Sequence, residues 1–141
     1  MADTHLLLLT YYQAFNERRF ADNAEMFTAD AVIQHRPTGR PLQGPDGYIE
    51  SAQMETTTFP DLQLRILRVE QRGDTIVEVH LSATGTHLGD WTSDTLGRLK
   101  ATGRVKMFHI RETLEIRGGK ITFSGLTYDL QELFGPDGPP R

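Results

Sequence analysis

Residues 105–129 have the sequence VKMFHIRETLEIRGGKITFSGLTYD. Apolar and polar side chains alternate on both sides of the RGGK segment at 117–120, which is typical of two antiparallel strands joined by a tight turn. We therefore predict one strand over residues 105–116 and a second over residues 121–129.

Two more strands are predicted immediately upstream. Residues 62–70 and 76–86 are rich in β-branched and alternating apolar residues, and the QRGD segment at 71–74 between them has the composition of a turn. The second half of the chain is thus predicted to be an antiparallel meander.

The first half is predicted to be mainly helical. Apolar residues recur at helical spacing over residues 4–19, and a second, short helix is predicted over residues 21–27. Residues 31–35 (AVIQH) have the composition of a strand. Pro45 suits the first turn of a third helix, which ends before Pro60.

Helices followed by a meander predict a single α+β domain over residues 1–134. The expected architecture is a cone-shaped α+β barrel, in which a curved antiparallel sheet carries the N-terminal helices on its concave face. Residues 135–141 are predicted to be a flexible C-terminal tail. The long polar link at 87–103 is predicted to be either a mobile lid or an exposed loop.

The composition is that of a globular protein without affinity for nucleic acids. Of 141 residues, 38% are hydrophobic and 24% charged, and 15 basic against 19 acidic side chains give a net charge of −4. No positive field is therefore available to attract phosphate backbones.

Cysteine is absent, which excludes disulfides and thiolate metal sites. The leucine run at 6–9 is too short to span a membrane, so we expect a cytoplasmic protein without a membrane partner.

One carboxylate is predicted to lie among apolar side chains. Glu112 has the same strand parity as Phe108, Ile110 and Leu114, so these residues share one face. Burial of an unpaired carboxylate costs several kcal/mol and raises its pKa toward the range useful for general acid or base catalysis. A catalytic Glu112 is therefore one hypothesis, and a buried structural salt bridge or a strand edge that reaches water are the alternatives.

Five short strings occur along the chain in a fixed order. They are YYQAFN (11–16), FPDL (59–62), ATGTHLG (83–89), TGRV (102–105), and GKI (119–121) followed by YDL (128–130). In this order they resemble the SnoaL-like polyketide cyclases of the nuclear transport factor 2-like superfamily, over nearly the whole chain. The resemblance implies the cone-shaped fold. Folds of this kind host cyclases, hydroxylases, epoxide hydrolases, isomerases and non-catalytic domains, so the reaction depends on the residues of the site and not on the fold.

The resemblance also implies positions for the acid/base groups. The cyclases have a histidine on the strand equivalent to 105–116 and an aspartate on the next strand, and alignment at the GKI turn puts these positions at Glu112 and Leu126. Asp129 matches a second acidic position of the family's last strand, with a surface or helix-capping role as its alternative. His35 matches a position that lines the cavity of many relatives, where it either contacts a ligand or is an ordinary hydrogen-bonded histidine.

Aromatic side chains are predicted to converge on the interior of the cone, where ring faces suit a flat ligand; plain core packing is the alternative. The predicted interior set is Tyr12, Phe15, Trp91, Phe108, Phe123 and Tyr128, and all of these except Phe123 are predicted substrate contacts. His80 and His109 are predicted to face the outer side of the sheet, toward solvent or a dimer interface. The scattered histidines predict no metal site, and no phosphate loop, dinucleotide fingerprint or nucleophile elbow supports a cofactor.

Together these features predict a cofactor-independent acid/base enzyme that acts on a hydrophobic, polyketide-like or terpenoid molecule. Cyclisation, isomerisation, hydration and epoxide opening all fit a dry pocket in which Glu112 moves a proton with the help of His35 or Asp129. A homodimer is expected. A non-catalytic binding protein for a small apolar ligand and a mainly structural dimer are the alternative hypotheses.

Overall fold

The computed structural model describes residues 2–35, 40–93, 97–129 and 132–133. The helices are α1 (Ala2–Asn16), α2 (Phe20–Ala24) and α3 (Gly44–Thr58). The strands are β1 (Phe27–Gln34), β2 (Leu42–Gln43), β3 (Gln63–Gln71), β4 (Ile76–Thr86), β5 (Trp91–Ser93), β6 (Gly97–Leu99), β7 (Val105–Arg117) and β8 (Lys120–Tyr128). The predicted α+β class and the predicted order of helices and strands are confirmed.

Six strands form one curved sheet in the order β2-β1-β8-β7-β4-β3, and β5 pairs only with β6. Neighbouring strands are antiparallel, except that β1 and β8 run parallel. The sheet is therefore mixed, whereas the sequence predicts a wholly antiparallel sheet. Every second residue of β4 is buried, as is every second residue along most of β7. The helices pack against this inner face and complete the core.

The turn between β7 and β8 is the tight turn that the sequence predicts. Arg117 pairs with Lys120 across it, and the two central residues, Gly118 and Gly119, have φ angles of 56° and 77°. A type I′ hairpin turn requires positive φ at both central positions, which glycine adopts without strain.

Two polar residues from the strings quoted above join separate elements. Asn16, at the end of α1, donates to the carbonyl oxygen of Leu64 (2.9 Å) and accepts from its backbone N–H (2.8 Å). Asp61 accepts hydrogen bonds from the backbone N–H (2.6 Å) and the hydroxyl (2.7 Å) of Thr86. These bonds fix α1 to β3, and fix the segment after α3 to the end of β4.

The link at 87–103 contains the β5–β6 hairpin, so it is not a loop throughout, although many of its described residues are exposed. Trp91 and Leu99 pair across the hairpin, and both are buried. Gly89 holds the hairpin against the end of α3, because its N–H donates to the carbonyl oxygen of Thr58 (3.1 Å). A Cβ atom on Gly89 would lie 2.0 Å from the preceding carbonyl oxygen of α3, so only glycine fits there.

A β-bulge in β8 changes which of its residues face inward. Ile121 and Phe123 lie opposite adjacent residues of β7, so Thr122 is the extra residue. Because a bulge reverses the alternation of side chains, Ile121 and Ser124 are both buried while Phe123 is only half-buried. The predicted interior position of Phe123 is therefore wrong.

None of the helices among the described residues is long and apolar enough to cross a membrane. The predicted flexible tail, residues 135–141, lies outside the described part of the chain. The predicted domain bounds of 1–134 accordingly remain a prediction.

Candidate active site

A buried carboxylate on β7 forms the centre of the candidate site. Glu112 lies on the inner face of the sheet and is 2% exposed, as its strand parity predicts. Tyr12 donates a hydrogen bond to its Oε1 atom (2.8 Å) and Tyr11 to its Oε2 atom (3.1 Å). Ser124 of β8 donates a short hydrogen bond to Oε2. Three hydroxyl donors around one carboxylate are the arrangement that suits its ionised form.

Burial nevertheless raises the pKa of Glu112, and the positive charge of His35 and the hydrogen bonds from Ser124 and Tyr12 offset only part of this rise. Within the described residues, no lysine or arginine forms an ion pair with this carboxylate. Its basic neighbour is His35, whose Nε2 atom lies 3.9 Å from Oε2. Among the described residues, a structural salt bridge of Glu112 would therefore have His35 as its partner, and not a lysine or arginine.

His35 follows β1 directly and is 8% exposed. Its Nε2 atom lies 2.7 Å from the hydroxyl of Ser124, which in turn donates to Glu112. On the other side of the ring, Nδ1 lies 2.7 Å from Oε2 of Glu55 and 2.7 Å from the hydroxyl of Ser51. One continuous chain of hydrogen bonds thus runs from Glu112 to α3.

Two carboxylates decide the charge of this imidazole. Burial by itself would lower the pKa of His35, but the charge of Glu55, the hydrogen bond to Glu55 and the charge of Glu112 outweigh it and raise the pKa. The protonated ring carries an N–H on each nitrogen. It can therefore donate to Glu55 and to Ser124 at the same time, each at a distance of 2.7 Å.

The two tyrosines stay protonated throughout. Burial raises the pKa of Tyr11 and of Tyr12 well above the ordinary value, and the charge of Glu112 raises both further. Their rings meet edge to face with centroids 5.0 Å apart. They act as hydrogen-bond donors that hold the carboxylate in place, and not as acids.

A pocket of about 700 Å³ lies between α3, the β5–β6 hairpin and the inner face of the sheet. His35, Ser51 and Glu55 form its inner polar end, and the side chain of Glu55 is 24% exposed. Exposed polar residues such as Arg40 and Glu50 line the rim. The apolar walls consist of Ile33, Leu42, Met54, Phe59, Leu62, Trp91, Phe108, Ile110, Leu126, Tyr128 and Leu133.

Three of the predicted substrate contacts, Trp91, Phe108 and Tyr128, line this pocket. Tyr12 and Phe15 do not; they border a void of about 20 Å³ beside the buried carboxylate. The reason is that α1 packs behind the polar cluster, on the side away from the pocket. Tyr12 therefore supports the site through a hydrogen bond, and Phe15 through packing.

Asp129 lies on the other side of the sheet. It is exposed and lines an open depression of about 640 Å³ on the outer face, together with His80, His109 and Arg111. The structure thus confirms the predicted outward positions of both histidines. It does not bring Asp129 to Glu112, so the prediction that Asp129 assists catalysis is wrong.

The position that the resemblance equates with the cyclase aspartate carries no acid in this chain. Leu126 lies directly opposite Glu112 in the pairing of β7 with β8, and it lines the pocket. The histidine of the candidate site comes instead from the end of β1.

Four polar residues of the site were missed from the sequence: Tyr11, Ser51, Glu55 and Ser124. Ser51 and Glu55 are four residues apart on α3, so helical spacing could have placed them on one face. Tyr11 stands next to the predicted Tyr12 in the YYQAFN string. Ser124 could not have been found by parity, because the bulge at Thr122 reverses it.

A second group of ionisable side chains lies on the outer face. Glu70, Glu78 and His80 place their ligand atoms within 4.8 Å of one another. Arg72, however, forms ion pairs of 3.1 Å with both carboxylates. This group is therefore already neutralised and is poorly suited to a metal ion.

A sequence profile of the family described as SnoaL-like polyketide cyclase matches residues 5–135. No curated protein gives a significant sequence match.

Several solved structures have the same fold. AclR of Streptomyces galilaeus, for which hydroxylase is a suggested activity, is 22% identical with a TM-score of 0.75, over 95% of this chain and 80% of AclR. IdmH of Streptomyces antibioticus, for which polyketide cyclase is a suggested activity, is 24% identical with a TM-score of 0.72, over 91% of this chain and 93% of IdmH. A protein of Catenulispora acidiphila with the ketosteroid isomerase-like fold, solved with trimethylamine, is 16% identical with a TM-score of 0.76, over 95% and 93% of the two chains. At these identities the similarity establishes the fold alone.

Proposed function

Because the chain belongs to the SnoaL-like polyketide cyclase family, we propose that it is a cofactor-independent acid/base enzyme acting on a hydrophobic small molecule. The reaction is a cyclisation, an isomerisation or an epoxide opening. The observation that carries this proposal is the hydrogen-bond chain from Glu112 through Ser124 to His35, which ends at the wall of an apolar pocket.

The arrangement supports acid/base chemistry because its two ionisable ends are coupled. Burial favours the protonated form of Glu112, while the two neighbouring carboxylates favour the protonated form of His35. When His35 loses or gains a proton, Glu112 can supply or take up a proton through the hydroxyl of Ser124. Acid/base groups positioned in this way typically contribute a rate factor of about 100 to 10,000.

The pocket supports a hydrophobic substrate. Its walls include Phe59, Trp91, Phe108 and Tyr128, whose ring faces can pack against a flat apolar molecule. Polar groups are concentrated at one inner end and at the rim. A bound substrate would therefore place one polar edge at the inner polar end of the pocket and leave the rest in an apolar environment, where proton transfer is favoured over competing hydrolysis.

Turnover by wild type and by Glu112→Gln tests the proposal. A panel of an aryl epoxide, a β,γ-unsaturated ketone and an aromatic polyketone is followed by chromatography and mass spectrometry. For the substrate that is converted, we expect Glu112→Gln to lower kcat by about 100-fold or more. Glu25→Gln, an exposed carboxylate outside the pocket, is the matched control and should retain the wild-type kcat.

The alternative proposal is a non-catalytic binding protein, and the same variants separate it from an enzyme. Trp91 is the single tryptophan of the chain and lines the pocket, so its fluorescence reports ligand binding without turnover. Saturable binding of panel compounds, with no conversion and equal affinities in wild type and Glu112→Gln, would favour the binding protein and contradict the enzyme.

We further propose that the chain forms a homodimer through the outer face of the sheet and acts in the cytoplasm. Val105 and Met107, which share the outer face of β7, are 70% and 69% exposed. Burial of such apolar side chains in a partner surface is favourable by about 25 cal/mol per Å². Light scattering should give twice the chain mass for wild type and a single chain mass for Met107→Glu.

A further inference from the structure

The buried carboxylate and the imidazole do not offer a free acceptor to the pocket. Among the described residues, three hydroxyls donate to Glu112. Both ring nitrogens of His35 are within 2.7 Å of other protein groups. A ligand in the pocket must therefore meet a different polar atom at the inner end.

Glu55 supplies that atom. Its Oε2 atom accepts from His35 (2.7 Å) and from Ser51 (3.0 Å), whereas Oε1 has no hydrogen-bond partner among the described residues. The side chain is partly exposed and lines the pocket. One carboxylate oxygen is thus fixed by the protein, and the other is left without a described protein partner on a side chain that lines the pocket.

The other pocket carboxylates are placed differently. Both oxygens of Asp90 are occupied, Oδ1 by the N–H of Ala101 (2.9 Å) and Oδ2 by Nε of Arg98 (2.6 Å). Glu50 is exposed at the rim. Among the described carboxylates of the pocket, Glu55 is therefore the one that offers an acceptor at the inner end of the apolar walls.

From this geometry we propose that Glu55 is the residue that contacts the substrate, and that the substrate is an apolar ring system with a hydroxyl group at one edge. The inference rests on the proposed function and adds the substrate class to it. In the reaction, Oε1 of Glu55 takes the hydroxyl proton, and the electron pair of the broken O–H bond stays on the substrate oxygen. That electron pair forms a new bond to an epoxide carbon as the C–O bond of the epoxide breaks, and Glu55 gives the proton to the oxygen that leaves. His35 stabilises the arrangement by donating to Oε2.

Equilibrium dialysis tests the hydroxyl preference directly, without turnover. The probes are 2-naphthol and 2-fluoronaphthalene, which are similar in size but differ in the hydrogen-bond donor. A hydrogen bond to a carboxylate in an apolar pocket should make wild type bind 2-naphthol at least about tenfold more tightly than 2-fluoronaphthalene. Equal affinities, or no binding of either probe, would overturn the proposal, and this comparison needs no variant to fold.

The variant Glu55→Gln tests whether Glu55 is the cause of the preference for 2-naphthol. The amide oxygen can keep the bonds to His35 and Ser51, so the amide NH₂ group replaces the free carboxylate oxygen toward the pocket. We expect the preference for 2-naphthol to fall to about twofold, with the affinity for 2-fluoronaphthalene unchanged. A retained tenfold preference in Glu55→Gln would refute the role of Glu55, and Glu25→Gln should behave as wild type.

The dialysis result and the turnover result are independent. A protein that shows the hydroxyl preference but converts no substrate would support the contact at Glu55 and contradict the proposed enzyme. A protein that turns over an epoxide or a ketone without any hydroxyl preference would support the enzyme and overturn the role of Glu55.

Discussion

Tyr12→Phe removes one of the three hydroxyl groups that hold the buried carboxylate and changes nothing else in the side chain. Tyr12 donates to Glu112 at 2.8 Å, and both residues are nearly inaccessible to solvent. A hydrogen bond to a charged group contributes about 1.5–3 kcal/mol to stability. We therefore expect the free energy of unfolding at neutral pH to fall by about 2 kcal/mol. For a chain of this length such a loss lowers Tm by roughly 6–8 °C.

The loss should depend on pH, with a sign that follows from the pKa of Glu112. Burial raises this pKa, and the hydrogen bond from Tyr12 opposes the rise, so Tyr12→Phe raises it further. A carboxyl group whose pKa is raised by folding favours the folded state while it is protonated. Its contribution is present at acidic pH and is lost as the pH increases from about 4.3, the unfolded value, through the raised pKa of the folded protein. The destabilisation by Tyr12→Phe should increase between the folded-state pKa of wild type and the still higher folded-state pKa of the variant, because over that range only the variant's Glu112 remains protonated.

Urea unfolding curves at a series of pH values between 5 and 8 measure this effect. Tyr11→Phe, which removes a longer bond of 3.1 Å to the same carboxylate, should cost less. Tyr48→Phe is the control, because the Tyr48 hydroxyl is bonded to Asn23 and not to a carboxylate. A loss in Tyr12→Phe that is absent, or that is as independent of pH as the loss in Tyr48→Phe, would refute the assigned charge coupling.

Three further substitutions test the charge pair and the backbone. In Glu112→Gln the missing negative charge should lower the pKa of His35, measured by NMR titration of its ring protons, and an unchanged value would contradict their coupling. Gly119→Ala should cost about 1–2 kcal/mol because of its φ of 77°, whereas Gly73→Ala, with open space around it, should be near neutral in the same unfolding assay. Gly89→Ala should displace the β5–β6 hairpin, because its new Cβ would lie 2.0 Å from a carbonyl oxygen; the emission of the single tryptophan should then shift to longer wavelength, and an unshifted spectrum would contradict this packing.

Strand positions could be predicted well from the sequence because apolar and polar side chains alternate along a long strand that has one buried face. The 76–86 prediction matches β4, Ile76–Thr86, in full, and the 105–116 prediction is one residue shorter than β7. The same repeat identified Glu112 as an inward carboxylate. The predicted strand at 31–35 was less accurate because β1 begins at Phe27, in a stretch without alternating polarity.

The rest of the site depends on features that leave little trace in local sequence. The bulge at Thr122 turns Ser124 inward, and one extra residue in a strand has no pattern of its own. Glu55 lines the pocket together with Trp91, so its role depends on two segments that are more than 30 residues apart in the chain. The prediction for Asp129 was wrong for a related reason. Whether a side chain at the end of β8 points inward or outward depends on the bulge earlier in that strand.

The pairing of strands also explains how a histidine on β1 comes to serve a carboxylate on β7. The strands lie in the order β1-β8-β7, and each contributes one group to the hydrogen-bond chain: His35, Ser124 and Glu112. The parallel register of β1 and β8 places Ile33 beside Ser124, which brings the end of β1 to the same level as the carboxylate. The resemblance places the family's histidine and aspartate on β7 and β8, whereas here the imidazole comes from β1 and a serine stands between the two ionisable groups. A proton can therefore pass between them only while Ser124 accepts from one and donates to the other, which makes the bulge in β8 a requirement of the proposed chemistry.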